Sequence, residues 1–159
     1  ACRTSKSGTT MISSRNKAGS QTRQSSREGR SRCALAEALP VEAIEADLRH
    51  HPISEDFDCV VSIGLLMFFD CATALDVLSM LQARVRPGGV AVVNVLVEGT
   101  SYLDMFQADN YCLFARSELE TRFADWNIIH SEFRDFDAPG QTIKSFATII
   151  AGKPLRQAP

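Results

Sequence analysis

Few side chains in this chain are spaced for catalysis. His50, His51 and His130 stand at no ligand spacing from the five cysteines, Cys2, Cys33, Cys59, Cys71 and Cys112, so no zinc site is expected. The cysteines are odd in number and form no Cys-x-x-Cys pair. Most sit in or beside apolar runs, and they read as reduced, buried thiols of a cytoplasmic protein. What remains is binding chemistry. Residues 98–116 form a long connection carrying Tyr102, Phe106, Tyr111 and Phe114, and connections of that length in compact domains are often binding loops. Asp47 closes a short strand-like segment and Ser62 lies near the end of an apolar run. At such places a carboxylate or hydroxyl meets solvent or backbone, or else it meets a ligand.

The elements that position these groups are legible from hydrophobic pattern. Residues 57–70 read FDCVVSIGLLMFFD; a helix-like segment, then RVRPGG and the apolar run VAVVNVLV follow. Strand, helix, Pro-Gly-Gly turn and strand make a unit of an α/β protein and point to a nucleotide-type cofactor. The run 58–63 is continuous, as in a strand covered on both faces. Leu75, Val77, Leu78, Leu81 and Val85 put one apolar face on a helix at about 71–85. Pro87, Gly88 and Gly89 are expected to stop it, and 90–97 forms the next strand. Further strands are expected at 41–46, 126–133 and 143–151, the last two joined as an antiparallel hairpin by the Pro-Gly turn at 137–141. Ser117 reads as the N-cap of a short helix at 118–124. A weak helix is expected at 34–39.

Composition divides the chain. Residues 1–32 carry eight basic side chains, one acid and twelve Ser/Thr, a net +7, with no aromatic residue. The remaining residues carry nine basic and eighteen acidic side chains, a net −9. Residues 1–33 are therefore expected to be disordered, 34–153 to form one domain and 154–159 a tail. No apolar run is long enough for a membrane-spanning helix. A net-acidic domain argues against nucleic acid as partner, even with the basic arm. The first segment also fits a targeting peptide or an out-of-frame reading.

The ordered set of motifs resembles the carboxyl-terminal portion of a class I S-adenosylmethionine-dependent methyltransferase, a Rossmann-like sheet ending in an antiparallel hairpin. Within that superfamily it is most similar to the tellurite-resistance methyltransferases. The likeness is carried by Phe57-Asp58 with Ser62, Leu66-Met67-Phe68, Arg86-Pro87-Gly88-Gly89, Phe114 through Trp126, and Lys144 to Thr148. It covers about residues 41–153. The resemblance implies S-adenosylmethionine as cofactor and methyl transfer to a small nucleophile, such as a tellurite- or selenite-type oxyanion or a thiol. It implies that Asp47 and Leu48 meet the donor's adenine and that Ser62 and Ile63 face its methionine part. Leu65 to Phe69 would wall the site or join the core, and Tyr111 and Phe114 would close over substrate or pack beneath their loop. No metal is implied.

Two departures favour an alternative, a catalytically inactive domain acting at most as a binding module. The family's Asp-x-Gly-x-Gly turn is missing: Gly8, Gly19 and Gly29 follow no apolar run. The family's histidine between the last two strands is also missing, since 135–140 reads DFDAPG. Without a first strand beside it, 57–63 would offer an apolar sheet edge for self-association.

Overall fold

The structure, a computed structural model, describes residues 2–5, 8–13, 41–106 and 110–155. The weak helix expected at 34–39 and most of the first segment lie outside these residues. Seven strands are described: β1 (Cys2–Ser5), β2 (Gly8–Ser13), β3 (Val41–Glu45), β4 (Phe57–Ile63), β5 (Val85–Leu96), β6 (Asn127–Ala138) and β7 (Thr142–Gly152). Helix α1 spans Cys71–Ala83 and α2 spans Glu118–Arg122.

One sheet has the order β4-β5-β7-β6. Strand β5 runs parallel to β4, from Cys59 opposite Val90 to Ile63 opposite Asn94. On its other side β5 runs antiparallel to β7, from Val90 opposite Gly152 to Leu96 opposite Phe146. The parallel pair needs a crossover, and α1 supplies it. The β6–β7 hairpin turns at Pro139–Gln141, where Gly140 takes φ 73 and Gln141 φ 61. The second sheet has the order β1-β2-β3, with β1 and β2 antiparallel and β2 and β3 parallel.

Strands β1 and β2 depart from expectation, because composition predicted neither order nor a strand ahead of residue 41. The β-branched stretch Thr9, Thr10 and Ile12 suits a strand, and β3 offers it a backbone partner with Met11 opposite Ala43. Strand β1 comes close to β4 without pairing with it.

The core lies on one face of the four-stranded sheet. Ala74, Val77, Leu78 and Leu81 of α1 pack with Val60, Ala91, Val93, Val95, Ala147, Ile149 and Ala151. Leu119 of α2 and Phe123 join the same cluster, so both helices cover the same face. On the opposite face Cys59, Val61, Val90, Val92 and Ile150 are only half-buried. The continuous apolar run of β4 thus predicted burial on two faces, and among the described residues one face is closed.

Helix α1 starts at an Asp70 cap, whose Oδ1 accepts from the Thr73 amide at 3.0 Å while Oδ2 accepts from the Thr73 hydroxyl at 2.7 Å. Its carbonyl end is met by Lys153, whose Nζ donates to Gln82 O at 3.0 Å, Ala83 O at 3.4 Å and Val85 O at 2.8 Å. A cation there complements the helix dipole. The helix stops at Ala83 and not at Pro87. Phe57 N bonds Arg84 O at 2.8 Å and Val85 already pairs with Phe57, so the sheet captures the chain before the proline. Ser117 makes no side-chain cap; its carbonyl accepts from Thr121 N at 3.0 Å, and α2 ends at Arg122.

The Arg86-Pro87-Gly88-Gly89 motif is therefore an excursion within β5, opposite Asp58. Arg86 pairs with Asp58 at 2.9 Å. Gly88 takes φ 79, and a Cβ on Gly89 would stand 2.8 Å from Asp58 O and 2.9 Å from Val85 Cγ1. By contrast, a Cβ on Gly140 would meet nothing within 4 Å. Gly89→Ala is expected to cost about 3 kcal/mol of stability by overpacking, and Gly140→Ala only about 1 kcal/mol from its positive φ. Urea unfolding of both variants checks the difference; equal losses would contradict this account of the motif.

Candidate functional site

The parallel strands β4 and β5 end side by side, and the loops leaving them form the candidate site. Ser62 is 1% exposed, and its Oγ has no hydrogen-bond partner among the described residues. A buried hydroxyl without a partner is costly, and a ligand atom at the strand end would relieve that cost. Ile63, the next residue, is 65% exposed. Gly64 then turns the chain at φ 59, held by its amide bond to Asn94 O at 3.2 Å. A short 3₁₀ turn, Leu66–Phe68, leads into α1. Leu66, Met67 and Phe69 are buried, so this stretch belongs mainly to the core; Phe68 stays half-exposed.

Asp47 and Leu48 follow β3. Leu48 is 3% exposed and part of the same core cluster as Val60 and Ala74, which brings the turn after β3 against the β4 unit. The Asp47 carboxylate is engaged by its neighbour: Arg49 Nη2 donates to Oδ2 at 2.6 Å, Nε to Oδ1 at 2.9 Å, and the Arg49 amide to Oδ1 at 3.1 Å. This fork lowers the Asp47 pKa to about 2. Arg49 is itself held further toward its charged form, chiefly by the Asp47 hydrogen bonds. The sequence expectation of an open carboxylate at Asp47 overlooked Arg49, two residues on. His50 and His51 follow in the same turn, their amides bonded to Asp47 O at 3.0 and 2.8 Å.

The connection after β5 is pinned at both ends. Phe114 N bonds Leu96 O at 3.0 Å and Glu98 N bonds Phe114 O at 2.9 Å, with the Phe114 ring buried in the core. Tyr111 stacks on Phe106 with centroids 4.9 Å apart, and Phe106 meets Phe68 at 5.4 Å. Phe114 is thus packing, while Tyr111 stands in an aromatic row reaching the turn after β4. Nearby, Thr100 and Ser145 exchange bonds: Ser145 N donates to Thr100 Oγ1 at 3.0 Å and Thr100 Oγ1 donates to Ser145 O at 3.3 Å, while Ser145 Oγ donates to Asp135 at 2.6 Å. Arg116 lies over Phe133 at 4.2 Å and Lys144 over Tyr102 at 4.4 Å. Sequence reasoning missed these anchors, because their partners are far apart along the chain.

The cysteines correct another expectation. Cys71 and Cys112 form a disulfide across 41 residues, and Cys71 is exposed. The thiols expected to be buried and reduced are in this pair a covalent tie. His130 lies exposed on β6, 3.6 Å from Glu132.

The fold and the strand-end site define the class: this is a Rossmann-like architecture of the S-adenosylmethionine-dependent methyltransferases. Among solved structures it is similar to TehB from Haemophilus influenzae, with a TM-score of 0.69 at 17% identity, covering 89% of this chain and 49% of that one. It is also similar to the 1,6-didemethyltoxoflavin-N1-methyltransferase of Burkholderia thailandensis, solved with 1,6-didemethyltoxoflavin and S-adenosylhomocysteine. There the TM-score is 0.56 at 17% identity, covering 78% of this chain and 56% of that one. The sequence model of the family described as "Tellurite resistance protein TehB" matches residues 19–150, and the chain belongs to that family. A curated relative, Hemagglutinin 1 of Eikenella corrodens, is 29% identical over 133 residues, which are 76% of this chain and 42% of that protein. The chain thus spans about half the length of the relatives it matches. Among the described residues no helix is long and apolar enough to cross a membrane.

The Asp47–Arg49 fork has a pH signature. A carboxyl depressed in the folded state contributes stability above its unfolded pKa, about 3.9. That contribution is lost as pH falls through the folded value of about 2. Carboxyl-carbon NMR is expected to place the Asp47 midpoint near 2, and Arg49→Ala to return it to the ordinary aspartate range. An unchanged midpoint in the variant would refute the fork as the cause.

Proposed function

We propose that this chain takes part in S-adenosylmethionine-dependent methyl transfer to a small nucleophile, a tellurite- or selenite-type oxyanion or a thiol. The observation that carries the reading is the unpartnered, buried Ser62 hydroxyl at the carboxyl end of β4, in a chain of the TehB family. Ligands of open α/β sheets bind outside the carboxyl ends of the strands. The donor, when bound, supplies an activated sulfonium leaving group, so the protein's work is holding, aligning and excluding water. Ser62 Oγ and the backbone beside exposed Ile63 fit the methionine part of such a donor. The aromatic row Phe68, Phe106 and Tyr111 stands beside the same turn and would shield the acceptor. Asp47 would take the adenine amine only in competition with Arg49; Leu48, held in the core, would serve as the apolar floor of that turn. We place the protein in the cytoplasm on the same footing.

A second reading is favoured by one observation: the Asp47 carboxylate is already engaged by Arg49. A donor pocket weaker by about 4 kcal/mol would bind about a thousandfold less tightly. The domain would then be a binding module without turnover.

Isothermal titration with S-adenosylmethionine and S-adenosylhomocysteine tests donor binding, and S-adenosylhomocysteine formation with tellurite, selenite or a thiol separates transfer from binding. Micromolar donor affinity is expected. Ser62→Ala is expected to weaken it about fivefold while leaving stability equal or higher, since the hydroxyl has no partner to lose. No heat of binding from either ligand would overturn the donor reading.

A further inference from the structure

The loops at the carboxyl ends of β4 and β5 are joined by three contacts of different kinds. The Cys71–Cys112 disulfide links the first residue of α1 to the connection after β5. Cys112 N bonds Met67 O at 3.2 Å, inside the 3₁₀ turn. The row Phe68, Phe106, Tyr111 crosses the same boundary. Two residues after Cys112 the segment is tied to the sheet, because Phe114 N bonds Leu96 O. Residues 110–114 are thus held between a backbone anchor at β5 and a covalent anchor at α1. Only the covalent one responds to thiols. Cys112 is buried, whereas Cys71 is an exposed residue.

We propose that the Cys71–Cys112 pair is a redox clamp: oxidised, it holds residues 110–113 against the turn at the mouth of the candidate site; reduced, it releases them. Its effect on donor affinity rests on the methyl-transfer reading, whereas the holding and release do not.

The chemistry balances with ordinary thiol partners. On closing, glutathione disulfide accepts two electrons and two protons from the cysteine pair and leaves as two glutathione thiols. On opening, a dithiol reductant attacks the Cys71 sulfur, and Cys112 departs as a thiolate and takes up a proton. The reductant's second thiol then closes on the mixed disulfide and frees Cys71. Losing the covalent tie leaves the Cys112 N–Met67 O bond and the ring stack to hold residues 110–113 at the turn, contacts weak enough for local opening, while Phe114 stays bonded to β5 and buried in the core.

The test uses the full chain, oxidised with glutathione disulfide or reduced with dithiothreitol, its state fixed by intact mass. Hydrogen exchange at the amides of residues 110–113 is expected to be about tenfold faster in the reduced form and to recover on reoxidation. Cys71→Ser, at the exposed position, is expected to exchange like the reduced form under both conditions; this avoids reliance on a change at buried Cys112. S-adenosylmethionine affinity is expected to differ about tenfold between the two forms. Persistence of both thiols after oxidant, or equal exchange in the two states, would overturn the clamp. If exchange changes while neither form binds donor, the clamp stands and the donor reading falls.

Discussion

Strand β5 is the constraint from which the rest follows. It has no free edge, because β4 takes its hydrogen bonds on one side and β7 on the other. Its two neighbours run in opposite directions, so β5 is where a parallel sheet becomes antiparallel. The parallel side demands a crossover, which is α1, and the antiparallel side permits the tight β6–β7 hairpin. Alternation along β5 then sorts side chains. Ala91, Val93 and Val95 enter the core under both helices, while Val90, Val92 and Asn94 face the other way. Asn94 uses that face to bond Thr148 Oγ1 at 2.9 Å, stitching β5 to β7 by side chain as well as backbone.

The candidate site inherits its place from this arrangement. Because β4 and β5 are parallel, their outgoing loops emerge together, and both are anchored by bonds that start at strand ends. The site differs from a generic strand-end pocket in how its polar groups are committed. Among the described residues Ser62 is buried with no partner, whereas Asp47 has a strong one. A donor would therefore gain most at Ser62 and would have to displace an existing ion pair at Asp47. That asymmetry separates the two readings of function.

Much of the fold was legible because it is written in local pattern. The valine-rich runs, the apolar phase of Leu75, Val77, Leu78 and Leu81, and the Pro-Gly turn at 139–140 each report on their own neighbourhood. What escaped was long-range or competitive. The Cys71–Cys112 tie joins residues 41 apart, and rules of close cysteine spacing cannot see it. Lys153 closes the carbonyl end of α1 from about seventy residues downstream. Helix α1 ends before Pro87 because Val85 gains a strand partner, a tertiary gain that outweighs the local stop signal. Strands β1 and β2 lie in a segment whose charge and Ser/Thr content argue for disorder, and pairing with β3 is not readable from that segment alone. In the candidate site, family motif singled out Ser62 and Ile63 as candidates. Ser62's missing partner and Arg49's claim on Asp47 needed coordinates.

The pairing of β5 with β7 also sets the order of events during synthesis. Residue 96 leaves the ribosome long before its partner Phe146 exists, so the valine-rich strand must wait with one side unsatisfied. Until Gly152 and Lys153 have emerged, neither the second side of β5 nor the carbonyl end of α1 is closed. The valine-rich strand therefore keeps one side open until the β6–β7 hairpin has been made, an interval in which an unpaired strand edge is prone to aggregate.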